Sequence, residues 1–207
     1  MRDGPHGDAP GIRIRDRGWL PHVDVPSGTY FLTFRLAESL PAAVLEQWEH
    51  ERRRLELEAA GDGRPMRPDV RHDLHMLFLR RIEKELDNGA GACWLRQPQL
   101  ASLVQEALLH FDGERYALLA WAVMPNHVHA VARLRPGNGL ADVVHAWKSF
   151  TARGANRLLG RRGRFWQADY YDHLVRNPDD MLRCVRYVLS NPAKAGLRDW
   201  PWVGGGP

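Results

Sequence analysis

Hydrophobic and polar residues follow two different periods along this chain, and the two periods predict its elements. Apolar residues at every second position indicate strands, and apolar residues at every third or fourth position indicate helices. The pattern predicts strands near 29–36, 115–123, 127–134 and 165–175, and helices near 97–111, 140–159 and 177–191. Taken in chain order, the first six of these elements are strand, helix, strand, strand, helix and strand, which is the βαββαβ order of a ferredoxin-like antiparallel sheet. The expected fold class is therefore α+β, with one further helix at the C-terminal end.

Two acidic helical runs interrupt this plan after the first strand. One is expected to open at Ser39-Leu40-Pro41 and to extend to about Ala60. The other is expected roughly from Asp69 to Leu86, where Asn88 and Gly89 end it. The two runs together are acidic, and we interpret the pair as a helical insertion rather than part of the catalytic framework. The expected division is a flexible N-terminal tail at 1–26, a single domain at 27–200 with its insertion at 40–90, and a C-terminal tail at 201–207.

Two histidines lie one residue apart in the strand predicted at 127–134. Since side chains alternate along a strand, His127 and His129 point from the same face, and paired imidazoles of this kind can bind a divalent metal. The opposite face, from Val128 to Leu134, is apolar and is the expected core. The histidine face is a poor core and is expected to be an active surface. The alternative is that both histidines are hydrogen-bonded residues in a one-sided sheet.

Composition excludes several classes of protein. No apolar run approaches the ~18 residues that indicate a membrane span, and the polar N-terminus lacks the apolar centre of a signal peptide. The two cysteines, Cys93 and Cys184, are far apart and have no metal-binding spacing. These features predict a cytoplasmic protein with no membrane association and with free thiols.

The net charge of +4 is unevenly distributed. Residues 133–198 carry 13 Lys and Arg against 5 Asp and Glu, whereas residues 38–90 carry 9 against 12. Arginine makes bidentate contacts with phosphate, so the basic half indicates a nucleic-acid surface; a coding bias towards arginine is the alternative. The arginines predicted to contact nucleic-acid phosphates are Arg153, Arg157, Arg161, Arg162 and Arg164.

The last predicted helix carries a tyrosine. At 100° per residue its apolar residues form one stripe, and Tyr187 falls roughly opposite, on the same side as Arg183 and Asn191. This phase indicates an accessible phenol. One turn later, the side-chain carbonyl oxygen of Asn191 could complete a metal site. A phenol is a weak nucleophile at neutral pH, but a metal held by two histidines and an amide can polarise a phosphodiester for its attack. Pro192 is expected to end the helix.

Four segments together resemble the REP-associated tyrosine transposases, within the HUH single-tyrosine transposase superfamily. They are Ala122-Val123-Met124-Pro125-Asn126-His127-Val128-His129, the helix containing Trp147-Lys148-Ser149-Phe150-Thr151, the stretch from Phe165-Trp166-Gln167 to Arg176, and Arg186-Tyr187-Val188-Leu189-Ser190-Asn191-Pro192 with the residues up to Leu197. The resemblance covers roughly residues 27–200. It implies a ferredoxin-like fold, Mg²⁺ or Mn²⁺ as cofactor, and cleavage and rejoining of single-stranded DNA that carries a short hairpin.

By motif position, the resemblance implies that His127 and His129 are metal ligands, that Tyr187 is the nucleophile, and that Asn191 is a third, polar ligand. Lys148 matches a family position and is expected to join the five arginines in contacting DNA, with simple solvent exposure as the alternative. His173 and Arg183 are possible supporting residues, and Tyr170 and Tyr171 are rival nucleophiles. The expected partner is single-stranded or hairpin DNA, and the expected state is a monomer or a homodimer. Two other functions remain open: a nucleic-acid-binding domain without catalysis, and a small metallohydrolase that uses the histidine pair.

Overall fold

The structure is a computed structural model that describes residues 13–16, 21–60 and 68–205. Its strands are β1 (Arg13–Asp16), β2 (Pro21–Asp24), β3 (Thr29–Arg35), β4 (Tyr116–Val123), β5 (His127–Leu134), β6 (Tyr171–Leu174) and β7 (Val203–Gly205). Its α-helices are α1 (Ala42–Ala60), α2 (Pro68–Asp87), α3 (Pro98–Leu109), α4 (Leu140–Leu158) and α5 (Pro178–Lys194). A 3₁₀ turn at Trp94–Arg96 precedes α3.

Five strands form one antiparallel sheet in the order β6-β3-β5-β4-β7. The first four strands of that order have the arrangement of a ferredoxin-like βαββαβ sheet, so the predicted fold class is confirmed. Strand β5 is central, with β3 on one side and β4 on the other. The histidine strand is thus hydrogen-bonded along both edges, which fixes its side chains in register.

The two faces of the sheet pack against different helices. On one face, Val128, Ala130, Ala132 and Leu134 of β5 contribute to the main core, together with residues of α3 and α4 such as Val104 and Trp147. This is the apolar face that the sequence predicts. Within it the Trp147 indole donates a hydrogen bond to the Tyr116 hydroxyl at 2.9 Å, and that hydroxyl donates to the Leu108 carbonyl at 2.7 Å.

Helix α5 covers the opposite face, where a smaller apolar cluster includes Phe31, Val131 and Val188. His127 and His129 lie on this face and are only 1% and 0% exposed. The histidine face is therefore covered rather than open to solvent, because α5 packs over the part of β5 that carries the histidines.

Three segments differ from the sequence expectation. Strand β6 covers 171–174 rather than 165–175, because Phe165 and Trp166 are buried in the main core and Trp166 forms only an isolated bridge with Leu36. Helix α5 continues past Pro192 to Lys194. Residues 203–205, assigned to a C-terminal tail, form the edge strand β7 on β4.

The predicted N-terminal tail, 1–26, lies partly outside the described residues. Where it is described, β1 and β2 pair as a two-stranded antiparallel sheet. The predicted insertion is helical, as expected, and Arg81 of α2 forms an ion pair with Glu51 of α1 at 2.7 Å. Among the helices that the structure describes, none combines the length and apolar character needed to cross a bilayer.

Candidate functional site

The paired histidines of β5 form the centre of the candidate site. Thr33 of β3 and Ala122 of β4 flank His129 in the sheet register. The Nε2 atoms of His127 and His129 lie 2.9 Å apart, so both rings direct the same nitrogen to one point. Buried between sheet and helix, this point is shielded from bulk water.

The other ring nitrogen of each histidine has a separate partner. The Asn126 amide nitrogen donates to the Leu86 and Ala90 carbonyls, so its oxygen faces His127 Nδ1 at 2.7 Å and can only accept. His127 Nδ1 therefore carries a proton and Nε2 carries a lone pair. His129 Nδ1 lies 2.8 Å from the Thr33 hydroxyl, which can donate or accept and so permits either tautomer.

Both histidines are neutral at physiological pH. Burial lowers the pKa of His127 well below its usual value, with a further contribution from His129, and burial lowers the pKa of His129 to about 3. Neutral imidazole is the form that binds metal. The ring orientation and the protonation state therefore both suit a pair of metal ligands.

Helix α2 of the insertion ends at this site, which corrects the expectation that the insertion lies outside the catalytic framework. Asp87 Oδ1 is 3.8 Å from His127 Nε2. The two hydrogen bonds from Asn126 hold the end of α2, and Gly89, with φ of 74°, turns the chain away there. Sequence reasoning missed Asp87 because nothing in the local pattern of α2 reveals which helix end meets the histidine strand.

Tyr187 of α5 contacts the same site. Its ring packs edge-on against His129 with centroids 5.3 Å apart and against Phe31 at 5.6 Å. The helical-phase argument that set Tyr187 opposite the buried stripe is wrong. Leu182 of that stripe is 40% exposed, whereas Tyr187 packs against the sheet. The face that meets the sheet mixes apolar and polar residues, so hydropathy alone assigns it incorrectly.

Asn191 lies one turn after Tyr187 and is still within the helix. Its side chain is fully buried, and within the described part of the chain neither amide atom has a hydrogen bond of good geometry. Burial raises the pKa of both Tyr187 and Asp87, and the Asn191 amide lies close enough to each of them to oppose that rise in part. A buried amide without a partner is costly, and a metal ligand role would satisfy its oxygen.

Two carboxyl groups influence the Tyr187 phenol. Burial raises its pKa, and the negative charges of Glu83 and Asp87 raise it further. Burial also raises the pKa of the Glu83 carboxyl to about 7, with the charge of Asp87 adding to the effect and the interaction with the phenol opposing it. The phenol is thus fully protonated at neutral pH and lies beside a carboxyl group that is partly ionised there.

The donor set fits a divalent cation. One ligand atom each from Asp87, His127 and His129 lies within 4.8 Å of the others. The Asn191 amide, which lies close to Asp87, can add its oxygen as a fourth donor. Nitrogen and oxygen donors of this kind suit Mg²⁺ or Mn²⁺.

The two predicted supporting residues meet elsewhere. His173 Nε2 is 2.9 Å from Asp180 Oδ2, and an Arg183 guanidinium nitrogen is 3.2 Å from Asp180 Oδ1. Asp180 lies in the first turn of α5, about 10 Å along the helix axis from Tyr187. Cys184 completes a second group with possible ligand atoms, His173, Asp180 and Cys184. This network holds the start of α5 to β6 rather than entering the first site.

The six predicted DNA-binding residues lie on α4 and in the turn after it, across the sheet from the histidines. Arg153, Arg157, Arg162 and Arg164 are exposed. Lys148 instead donates to the Ala168 carbonyl at 2.8 Å, and Arg161 pairs with Glu38 at 2.5 Å. On the histidine side, sequence reasoning missed four exposed cations that the topology brings close to α5: Arg133, Arg186, Lys194 and Arg198.

The rival tyrosines point to different faces. Tyr170 packs against the main core, across the sheet from the histidines, and Lys148 lies over its ring at 5.8 Å. Tyr171 lies on the histidine side, where its ring meets Phe31 edge-on at 6.1 Å and burial raises its pKa to about 12. Of the three tyrosines, only Tyr187 has a described ring contact with His129.

Comparison with known proteins finds similarity to transposases. Residues 96–191 match the sequence model of the family described as Transposase IS200 like. The chain is 29% identical to a REP-associated tyrosine transposase of Escherichia coli K12 over 105 residues, which is 48% of this chain and 61% of that protein. It is 24% identical to a Haemophilus influenzae protein of the same type over 118 residues, which is 50% of this chain and 65% of that protein.

The matches thus span less than two thirds of the length of these two relatives. A solved structure of a REP-associated tyrosine transposase bound to a REP hairpin aligns with 18% identity and a TM-score of 0.49. That alignment covers 86% of this chain and 77% of the other. His127, His129, Tyr187 and Asn191 all lie within the family segment 96–191, whereas Asp87 and Glu83 lie outside it.

Proposed function

We propose that this protein is a metal-dependent transposase that cleaves and rejoins single-stranded DNA through Tyr187, since residues 96–191 match the sequence model of the IS200-like transposases. His127, His129 and Asn191 bind Mg²⁺ or Mn²⁺ in this proposal, and the DNA carries a hairpin. The observation that carries the proposal is the edge contact between the rings of Tyr187 and His129, with centroids 5.3 Å apart. A nucleophile and a metal ligand from different elements meet there.

The chemistry is an in-line exchange at phosphorus. The Tyr187 oxygen attacks the scissile phosphate, the bond from phosphorus to the 3′ oxygen breaks, and a 5′-phosphotyrosine and a 3′-hydroxyl result. A bound divalent ion would polarise the phosphate and offset its developing charge. The phenolic proton passes to the Glu83 carboxylate, which interacts with the phenol, and ultimately to the departing 3′ oxygen. Attack by another 3′-hydroxyl reverses the exchange and joins the strands.

The buried setting supports this assignment in two ways. Tyr187 is packed between Phe31 and His129, so its ring is held in one orientation before DNA binds. The neutral imidazoles are ready to bind metal without losing protons. Exposed cations on α4 and near α5 supply the phosphate contacts that the negatively charged substrate requires.

Covalent capture tests the proposal. Protein incubated with Mn²⁺ and single-stranded hairpin DNA should give an adduct on a denaturing gel, and EDTA should abolish it. Tyr187→Phe should lose the adduct completely, because it removes the attacking oxygen and almost no packing. Tyr171→Phe is the matched control and should keep it.

Peptide mapping that located the DNA on Tyr171 would overturn the assignment of the nucleophile. Nicking without any tyrosine adduct would favour the metallohydrolase, and hairpin binding without nicking would favour a non-catalytic binding domain. The 27–200 domain boundaries, the cytoplasmic location and the monomer or homodimer state remain predictions, which limited proteolysis, fractionation and size-exclusion chromatography test.

A further inference from the structure

We infer that Asp87, at the end of helix α2, is a ligand of the divalent metal, so that the helical insertion completes the metal site. The inference rests on the proposed metal-dependent function and adds to it a residue outside the segment 96–191 that matches the family. Its carboxylate supplies a negatively charged oxygen beside two neutral imidazoles.

The position of the carboxylate is the first argument. Asp87 Oδ1 lies 3.8 Å from His127 Nε2, and the ligand atoms of Asp87, His127 and His129 lie within 4.8 Å of one another. An ion with bonds of about 2.1 Å in octahedral geometry holds neighbouring donors about 3 Å apart. Small side-chain adjustments therefore bring all three donors onto one ion.

The lack of other partners is the second argument. Asp87 Oδ1 is shielded from solvent and, among the residues that the structure describes, has no hydrogen bond of good geometry; the same holds for both amide atoms of Asn191, although that amide lies close to Asp87. Leaving such atoms unpaired in a protein interior costs free energy. The unpartnered oxygens and the paired Nε2 atoms approach one point from three elements, α2, β5 and α5. A cation at that point satisfies them together.

The attachment of α2 is the third argument. The Asn126 amide nitrogen donates to the Leu86 carbonyl at 3.1 Å and to the Ala90 carbonyl at 2.9 Å, and these two residues flank Asp87 in the chain. The Asn126 oxygen accepts from His127 Nδ1. One side chain thus fixes both the orientation of His127 and the end of the helix that carries Asp87. A shift of α2 by one residue would rotate the carboxylate by about 100° away from the histidines.

A carboxylate ligand has a defined chemical consequence. With two imidazoles and one amide as ligands, the ion and its ligands would carry a net charge of +2. An ionised Asp87 would reduce that net charge to +1. An anionic oxygen donor strengthens binding of hard cations such as Mg²⁺ and Mn²⁺.

Direct measurement of Mn²⁺ binding by the full-length protein without DNA, by electron paramagnetic resonance or calorimetry, tests the inference. Asp87→Asn should weaken Mn²⁺ binding at least tenfold, because it keeps the shape but removes the charged donor. Glu85→Gln, on the same helix two residues earlier, is the matched control and should bind as the natural chain does. His129→Ala gives the reference for loss of an assigned ligand.

A second variant separates a ligand from a residue that only supports the fold. Asp87→Cys exchanges an oxygen donor for a thiolate, which favours Zn²⁺ over Mn²⁺. The ratio of Zn²⁺ to Mn²⁺ affinity should rise more than tenfold, an effect that a purely structural role would not produce. This variant decides the question if Asp87→Asn folds poorly.

The outcomes distinguish this inference from the proposed function. Unchanged Mn²⁺ affinity in Asp87→Asn and an unchanged metal preference in Asp87→Cys, with binding lost in His129→Ala, would overturn the role of Asp87 alone. If the natural chain bound no Mn²⁺ and formed the Tyr187 adduct in EDTA, both the proposed metal dependence and the role of Asp87 would be refuted.

Discussion

The buried position of Glu83, close to the charge of Asp87, makes ionisation of its carboxyl group unfavourable. Its pKa rises from an ordinary 4.5 to about 7, mainly through burial. Below pH 4.5 the group is protonated in both the folded and the unfolded chain and contributes nothing. Between pH 4.5 and 7 the folded chain holds the proton more tightly, so the contribution of Glu83 to stability falls as the pH rises.

Glu83→Gln should remove this loss, because the amide is neutral at every pH. In EDTA, we expect the variant to melt roughly 2–4 °C above the natural chain at pH 8, and to melt at the same temperature near pH 4. Thermal unfolding followed by circular dichroism at the two pH values measures the difference. An equal difference at both pH values would contradict a shifted Glu83 pKa; Glu85→Gln controls for net charge.

Single residues also mark the limit of what the sequence predicts. The spacing of His127 and His129 is a local signal, since alternation along a strand decides that both lie on one face. The meeting of Asp87 with this pair depends on contacts between residues forty positions apart, and no local pattern encodes it. Tyr187 and Asn191 occupy a buried helix face despite their polarity, so hydropathy placed them on the wrong side.

At the scale of elements, most helices and strands follow from periodicity. The ends of β4, β5 and α4 agree closely with the expected ranges because Pro125, Pro136 and Gly160 delimit them. The predicted length of β6 is too great, because the aromatic residues Phe165 and Trp166 pack in the core instead of continuing the strand. Trp166 donates to the Thr151 hydroxyl at 2.8 Å, and both residues are buried in the space between α4 and the sheet.

The turn after α4 gives a prediction about DNA binding. Arg162 and Arg164 are exposed, so each is free to neutralise a phosphate. Replacing both with alanine should reduce the slope of log affinity against log salt by roughly 1.4, at about 0.7 per phosphate contact for single strands. Fluorescence anisotropy with hairpin DNA at several salt concentrations measures the slope.

A control pair of the same charge lies on the acidic insertion. Replacing Arg53 and Arg54 of α1, which are also exposed, should leave the slope unchanged. Equal effects of both pairs would mean that net charge, rather than the turn after α4, determines binding.

At the scale of the whole molecule, the sheet separates two functional surfaces. The exposed arginines of α4 lie on one side, and Tyr187 with the histidine pair lies on the other. DNA that contacts both must pass around an edge of the sheet. The sequence showed the order of elements but not this separation, because the face that each helix covers follows from the three-dimensional crossings.

The C-terminal residues close one edge of this sheet. Trp200 donates to the Val123 carbonyl at 2.8 Å, Val123 donates to the Trp202 carbonyl at 2.8 Å, and β7 pairs with β4. A chain ending at Asp199 should lose on the order of 2 kcal/mol of unfolding free energy through these lost bonds and expose the edge of β4. Urea unfolding and size-exclusion chromatography should show lower stability and self-association.

A chain ending at Gly205, which keeps β7, is the matched comparison and should retain both the stability and the elution volume of the full chain. Equal behaviour of the two shortened chains would mean that β7 does not protect the edge.

The two cysteines differ in a way that matters for spectroscopy. Cys184 is half-buried on α5, and burial raises its pKa to about 11, so little thiolate forms there at pH 8. Cys93 is also half-buried, and its thiol donates to the Gly89 carbonyl at 3.4 Å, just beyond the end of α2. A thiol-reactive spin label or fluorophore should therefore react slowly at Cys184. The natural chain thus offers Cys93 as a reporter position just beyond the end of α2 without any substitution.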